Sequence, residues 1–165
     1  MEERAKQIYI NFLGRKFQMM REGVLEEYEG FGITEEKEDQ WRSELIDYWQ
    51  GILSSTDVDP VVKLSIMNAT EALPQILAFA ESGDSYSNLI YANCLWDIAT
   101  TGDQANSEQV IITKSKKMAI RIWSKIEKGE IYLEQERDLR GWPGMSTQEA
   151  LRTWASENLQ KAGLV

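Results

Sequence analysis

Apolar side chains recur along this 165-residue chain at intervals of three to five positions, which places them on one side of an α-helix. Strict alternation of apolar and polar residues, the pattern of a half-buried β-strand, never extends far. Only three prolines interrupt the helical pattern. The sequence therefore predicts an all-α fold of six or seven helices, arranged as an irregular bundle or a short superhelix. The length predicts one domain over residues 1–165.

Residues with capping propensity mark where the helices begin and end. Thr34 and Ser107 are suited to N-caps, and Asp59-Pro60 suits a first helical turn. Gly129 suits the residue that follows a helix. Residues 23–33 contain three glycines and predict a connecting loop. The predicted helices cover residues 3–22, 34–54, 59–81, 85–101, 107–128 and 146–162.

Two segments in the middle of the chain are similar to each other. Residues 76–84, ILAFAESGD, align with residues 95–103, LWDIATTGD. Together with residues 73–77, LPQIL, and residues 92–99, ANCLWDIA, this pattern resembles one armadillo or HEAT-type repeat over residues 59–103. In that family stacked helix pairs form a curved protein-binding surface, so the resemblance implies a short armadillo/HEAT-like superhelix.

The composition removes several kinds of catalytic and metal site. The chain has no histidine, which excludes imidazole bases, histidine metal ligands and the usual serine or cysteine triads. Its single cysteine, Cys94, cannot form a disulfide within the chain or a multi-cysteine zinc site. We therefore expect a protein that is not an enzyme and that uses no cofactor or metal. The chain shows no signal-peptide region and no long apolar run, which predicts a cytoplasmic protein without a membrane span.

Charge is distributed unevenly along the chain. The net charge of −9 disfavours nucleic-acid or anionic-membrane binding by the molecule as a whole and favours a basic protein partner. Residues 22–59 hold twelve acidic residues against two basic ones. Residues 114–128 hold six basic residues against one acidic residue.

The acidic segment contains the predicted binding site. Acidic and aromatic residues are interleaved in the predicted loop, and aromatic side chains are typical anchors of protein interfaces. On the helix that follows, the carboxylates should face water, opposite a buried stripe of Trp41, Leu45, Tyr48, Trp49 and Ile52. The predicted partner-binding residues are Glu26, Tyr28, Glu29, Phe31, Glu36, Asp39 and Asp47.

In size, acidity and lack of catalytic residues, the chain resembles small bacterial immunity proteins. This resemblance implies an intracellular inhibitor that neutralises a basic toxin, such as a nuclease effector, by occluding its active site. The expected partner is the cognate toxin, which the acidic segment would attract electrostatically.

Three other functions are compatible with the sequence. A helical adaptor would bind proteins through residues 60–103. An RNA-associated protein would use the basic stripe of the predicted fifth helix, which consists of Lys114, Lys117, Arg121, Lys125 and Lys128. A magnesium-dependent nucleotide hydrolase would use the motifs EExxD at residues 35–39 and ExxD at residues 44–47. These motifs look similar to those of helical pyrophosphohydrolases, although both lie on one predicted helix.

Overall fold

The structure, a computed structural model, describes residues 1–101, 109–134 and 147–164. Over these ranges the chain forms nine α-helices and one short 3-10 helix, and it forms no strand. The all-α prediction is confirmed. The expected count of six or seven helices is too low because two predicted helices are divided and the predicted loop contains a helix.

The helices are numbered in chain order. They are α1 (Glu2–Phe12), α2 (Lys16–Arg21), α3 (Leu25–Gly30), α4 (Glu35–Gly51), α5 (Asp59–Ile66), α6 (Leu73–Phe79), α7 (Ser85–Thr101), α8 (Gln109–Glu127) and α9 (Thr147–Lys161), with a 3-10 helix at Thr70–Ala72. Two compact units contain them: a first unit, Met1–Gly51, with α1 to α4, and a second unit, Ile52–Val165, with α5 to α9.

The first predicted helix, over residues 3–22, is interrupted in the structure. Leu13 and Gly14 have positive φ angles of 52° and 71°, which end α1 before α2 begins. The Gly14 amide donates to the carbonyl of Tyr9 at 2.9 Å. A Cβ atom at Gly14 would lie 2.8 Å from Cζ of the Tyr9 ring, so any other residue at this turn would have to displace that ring. The continuous helix predicted here is wrong.

The predicted loop over residues 23–33 contains α3. Glu26 and Glu27 lie in its first turn, where the helix dipole favours negative charge. Tyr28 points into the core with 2% of its surface exposed, and its hydroxyl donates to Oε1 of Glu38 at 2.7 Å. Burial of this one ring explains why a glycine-flanked segment is helical.

Helix α4 begins as predicted but buries a different stripe. Its N-cap is Thr34, whose hydroxyl accepts a hydrogen bond from the Lys37 amide at 3.3 Å. Trp41, Leu45 and Ile46 are buried, and Trp41 packs against Tyr9 with 5.6 Å between ring centroids. Tyr48 and Ile52 are 57% and 43% exposed, so their predicted burial is wrong. Trp49 is half-buried.

The buried side of α4 is rotated relative to the predicted stripe. A helix advances about 100° per residue, so including Ile46 moves the centre of the buried side by about 40° away from Tyr48. Ile52 follows Gly51, the last residue of the helix, and so lies outside its regular turn.

Helix α7 is the centre of the second unit, where it contacts α5, α6, α8 and α9. Its observed bounds match the predicted residues 85–101. Asp84 caps it by accepting the Ser87 amide at 2.9 Å. Its buried residues include Leu89, Leu95 and Ile98, as expected for a helix covered on several sides.

The predicted third helix is divided, as its internal proline indicates. Pro74 occupies the first turn of α6, which begins at Leu73, where the sequence predicts a kink or split. The chain leaves α5 earlier, at Asn68, which has a positive φ of 50°. The predicted residues 59–81 therefore form two α-helices joined by a 3-10 turn.

Glycines follow the last two helices, and one of them is Gly129, as predicted. Gly129 follows α8 with φ 89°, and Gly163 follows α9 with φ 73°. The predicted cap Ser107 and residue Ser146 lie outside the described residues. Across the described ranges, no helix combines the length and apolar character that crossing a membrane requires.

Buried phenol and thiol groups predict a loss of stability at alkaline pH. Burial raises the pKa of Tyr9 and Tyr28 above 10.0, and it raises the pKa of Tyr91 to about 12. Burial also raises the pKa of Cys94 from 9.0 to about 12. Because folding favours their protonated forms, this stabilisation is complete below the unfolded pKa values and is lost as pH rises towards 12.

We expect the urea midpoint of unfolding to be constant between about pH 7 and 8.5 and to fall steeply between about pH 9.5 and 11.5. Circular dichroism at 222 nm as a function of urea measures it. A midpoint that does not change up to pH 11 would show that these groups ionise equally well in the folded and unfolded chain.

Candidate protein-binding face

Five exposed carboxylates of the first unit form what we call the acidic face: Glu26 and Glu29 on α3, and Glu36, Asp39 and Asp47 on α4. The three on α4 lie within an arc of about 80° on the side opposite the buried residues Trp41 and Leu45. The hydrogen bond between Tyr28 and Glu38 joins α3 to α4 at 2.7 Å. The acidic face is thus carried by two packed helices and not by a loop.

The other carboxylates of the first unit are mostly engaged by its own cations. Four ion pairs hold them: Arg4–Glu27 at 2.8 Å, Lys6–Glu44 at 2.7 Å, Lys16–Glu38 at 3.4 Å and Lys37–Glu2 at 2.8 Å. The hydrogen bonds from Arg4, Lys6 and Lys37 lower the pKa values of the carboxyls that they contact. These pairs link α1 and α2 to α3 and α4.

The acidic face takes no part in this pairing. None of its five carboxylates forms an ion pair with another described residue. Within the described residues their charges are not balanced by an ion pair, whereas those of Glu27, Glu38 and Glu44 are. Arg4, Lys6 and Lys16, all near the start of the chain, thus pair with other carboxylates of the first unit.

The two aromatic residues predicted as anchors are less accessible than expected. Tyr28 lies in the core, so its predicted role as an exposed anchor is corrected. Phe31 is half-buried and lines a shallow cavity of about 360 Å³ with Ile33 and Lys37. The exposed aromatic residue of α4 is Tyr48, whose ring is held edge-on against Trp49 with centroids 4.9 Å apart.

The basic stripe of α8 is exposed at all five predicted positions, Lys114, Lys117, Arg121, Lys125 and Lys128. Arg121 and Lys125 both contact Glu81, the latter at 3.0 Å. Lys114 and Lys117 border a groove of about 340 Å³ above Leu77 and Met118. Among the ion pairs of the described residues, those of the stripe lead to Glu81 of the same unit.

The carboxylates of α4 bear on the hypothesis of a magnesium-dependent hydrolase. Over the ranges that the structure describes, no group of three or more acidic or cysteine side chains is placed to hold a metal ion. Glu44, a ligand in the hydrolase hypothesis, accepts hydrogen bonds from Lys6 at 2.7 Å and from Gln40 at 2.8 Å. The geometry thus gives this hypothesis no support.

Comparison of the chain with protein-family models, with curated proteins and with solved structures gave no match. The resemblance of residues 59–103 to an armadillo or HEAT-type repeat, and the resemblance to immunity proteins, therefore stay predictions.

Proposed function

We propose that this protein is a non-catalytic binding module that recognises a basic protein through its acidic face. More specifically, we propose that it is an intracellular inhibitor that occludes the active site of a basic toxin of the nuclease type. The observation that carries the proposal is the set of five exposed carboxylates without an ion pair among the described residues.

Carboxylates without an ion pair can attract a cationic protein more strongly than carboxylates that are already paired. A carboxylate already held by a lysine offers little net field to an approaching protein, whereas a group of uncompensated carboxylates attracts a cationic surface over about a Debye length. Enzymes that bind nucleic acids present such cationic surfaces around their substrates. The acidic face would be complementary to that surface and would accelerate the encounter.

A stable complex with the partner also requires side chains whose burial slows dissociation. Exposed aromatic side chains serve this purpose at interfaces because they bury a large area at a low entropic cost. Phe31 lies between Glu29 and Glu36 in the chain, is partly exposed and lines a shallow cavity with Lys37. We propose Phe31 as the anchor, because Tyr28 is buried and Tyr48 lies on the side of α4 opposite Asp39.

Neutralising the α4 carboxylates is expected to weaken partner binding. In the variant Glu36→Gln/Asp39→Asn/Asp47→Asn, the association rate at low salt should fall about tenfold or more, and its dependence on ionic strength should flatten. The partner is first identified, without use of the variant, as a protein that the immobilised wild type retains and that binds the purified wild type directly. Surface plasmon resonance on the purified partner then measures the rate between about 20 and 300 mM salt.

A matched control removes the same amount of charge elsewhere. The variant Glu130→Gln/Glu134→Gln/Glu157→Gln changes three exposed carboxylates of the second unit and should associate like the wild type. Equal loss in both variants would mean that net charge alone matters, and unchanged binding in the α4 variant would exclude the acidic face. If the bound partner kept its full enzymatic activity, the inhibitor proposal would be wrong and an adaptor function would remain.

A further inference from the structure

Helices α7, α8 and α9 line a cavity of about 310 Å³ in the second unit, far along the chain from the acidic face. Three indole side chains, Trp96, Trp123 and Trp154, contribute to its wall. The volume lies at the lower end of the range that small-molecule sites occupy in proteins, roughly 300–1,000 Å³. We call it the indole cavity.

Hydrogen bonds fix the walls of the indole cavity. The indole nitrogen of Trp123 donates to Oδ1 of Asn93 at 2.9 Å, and the amide of Asn158 donates to the same oxygen at 2.8 Å. One residue from each of the three helices is thereby joined. The rings of Trp96 and Trp123 pack with centroids 5.3 Å apart at an interplanar angle of 55°. A site held in this way loses little conformational freedom when a ligand binds.

Two opposite charges lie at this cavity without neutralising each other. The carboxylate of Asp97 and the ammonium of Lys161 both line it, yet no ion pair within 4.0 Å joins them or links either to another described residue. Partial burial raises the pKa of Asp97, and the charge of Lys161 opposes that shift. Asp97 is therefore an exposed carboxylate at the rim of a cavity that three indoles line, and the ammonium of Lys161 lies at the same cavity.

We propose that the indole cavity binds a small organic ammonium ion. The electron-rich faces of indoles attract cations, an effect that strengthens when the cation is desolvated. The Asp97 carboxylate supplies the counter-charge at the same cavity. An anionic ligand would be attracted by Lys161 but would be repelled by the carboxylate and by the indole faces. The proposal does not depend on the acidic face or on a protein partner.

Choline and its uncharged carbon analogue, 3,3-dimethylbutan-1-ol, are the probes that test the charge of the ligand, because they have nearly the same shape. Isothermal titration calorimetry of the full chain should show that choline binds at least tenfold more tightly than the alcohol. Equal affinity for both would overturn the proposal, as would no detectable binding of choline at up to about 20 mM. Tighter binding of acetate than of choline would overturn it as well.

Two substitutions of the charged residues should change choline affinity in opposite directions. Asp97→Asn should weaken binding about tenfold because it removes the counter-charge. Lys161→Gln should strengthen binding about threefold because it removes a competing cation. A merely damaged fold would weaken binding in both variants, so the opposite signs separate the site from an effect on stability.

Glu157→Gln is the matched control, because it removes one carboxylate from the exposed surface of α9 outside the cavity. Its choline affinity should equal that of the wild type. If Asp97→Asn behaved like this control, Asp97 would not hold the ligand. The acidic-face variants leave the indole cavity intact, so failure here and failure of partner binding are separate results.

Discussion

Replacing Gly83 with alanine is expected to lower the free energy of unfolding by about 2–3 kcal/mol. A Cβ atom at this position would overlap the carbonyl oxygen of Ser55 and would lie 2.9 Å from Cβ of Ser87. The backbone cannot easily move aside, because the Gly83 amide donates to Oδ1 of Asn88 at 3.1 Å and its carbonyl accepts from the same side chain at 3.0 Å. Urea unfolding followed by circular dichroism measures the change.

The control for this substitution is Gly51→Ala. Gly51 ends α4 without a positive φ angle, and a Cβ atom there would contact nothing within 4 Å. Alanine reduces the freedom of the unfolded chain, so this variant should be unchanged or stabilised by up to about 1 kcal/mol. Equal midpoints for the two variants would contradict the close approach of Gly83 to Ser55.

Trp41→Ala should cost about 3–5 kcal/mol, the largest effect that we expect from one truncation in the first unit. Trp41 is 1% exposed and packs against Tyr9, so its removal leaves a large cavity between α1 and α4. A unit as short as Met1–Gly51 has little stability in reserve. We expect the amides of α1 and α4 to lose protection from hydrogen exchange in this variant.

Tyr48→Ala provides the comparison, because it truncates an aromatic residue of the same helix that is 57% exposed. Its free energy of unfolding should change by less than about 0.5 kcal/mol. The sequence pattern alone assigns Trp41 and Tyr48 to one buried stripe and would predict similar costs. Similar measured losses would therefore contradict the orientation of α4 described above.

The fold could be predicted best at positions where interactions between residues close in the sequence determine the structure. Thr34 caps α4 through its own hydroxyl, and Pro74 begins a helix whose first turn does not need its missing amide proton. The bounds of α7 followed from its apolar run. The division at Leu13 could not be predicted in the same way, because a positive φ at leucine is unfavourable and is stabilised only by the surrounding packing.

The candidate site was predictable in its charges but not in its aromatic residues. Glu36, Asp39 and Asp47 are exposed as expected, since carboxylates without partners stay in water. Tyr28 looked like a surface anchor because glycines flank it, yet its ring lies in the core and its hydroxyl bonds to Glu38. The cations of α1 and α2 neutralise particular carboxylates of α3 and α4. Tertiary contacts determine these pairs, and helical periodicity does not predict such contacts.

Cys94, the single cysteine of the chain, gives the protein an internal reporter. It lies buried in α7 with 5% of its surface exposed, and its raised pKa of about 12 keeps it as an unreactive thiol. An alkylating reagent can reach this sulfur only in molecules whose central helix has transiently separated from its neighbours. The rate of labelling therefore counts opening events in the native ensemble, without any engineered probe.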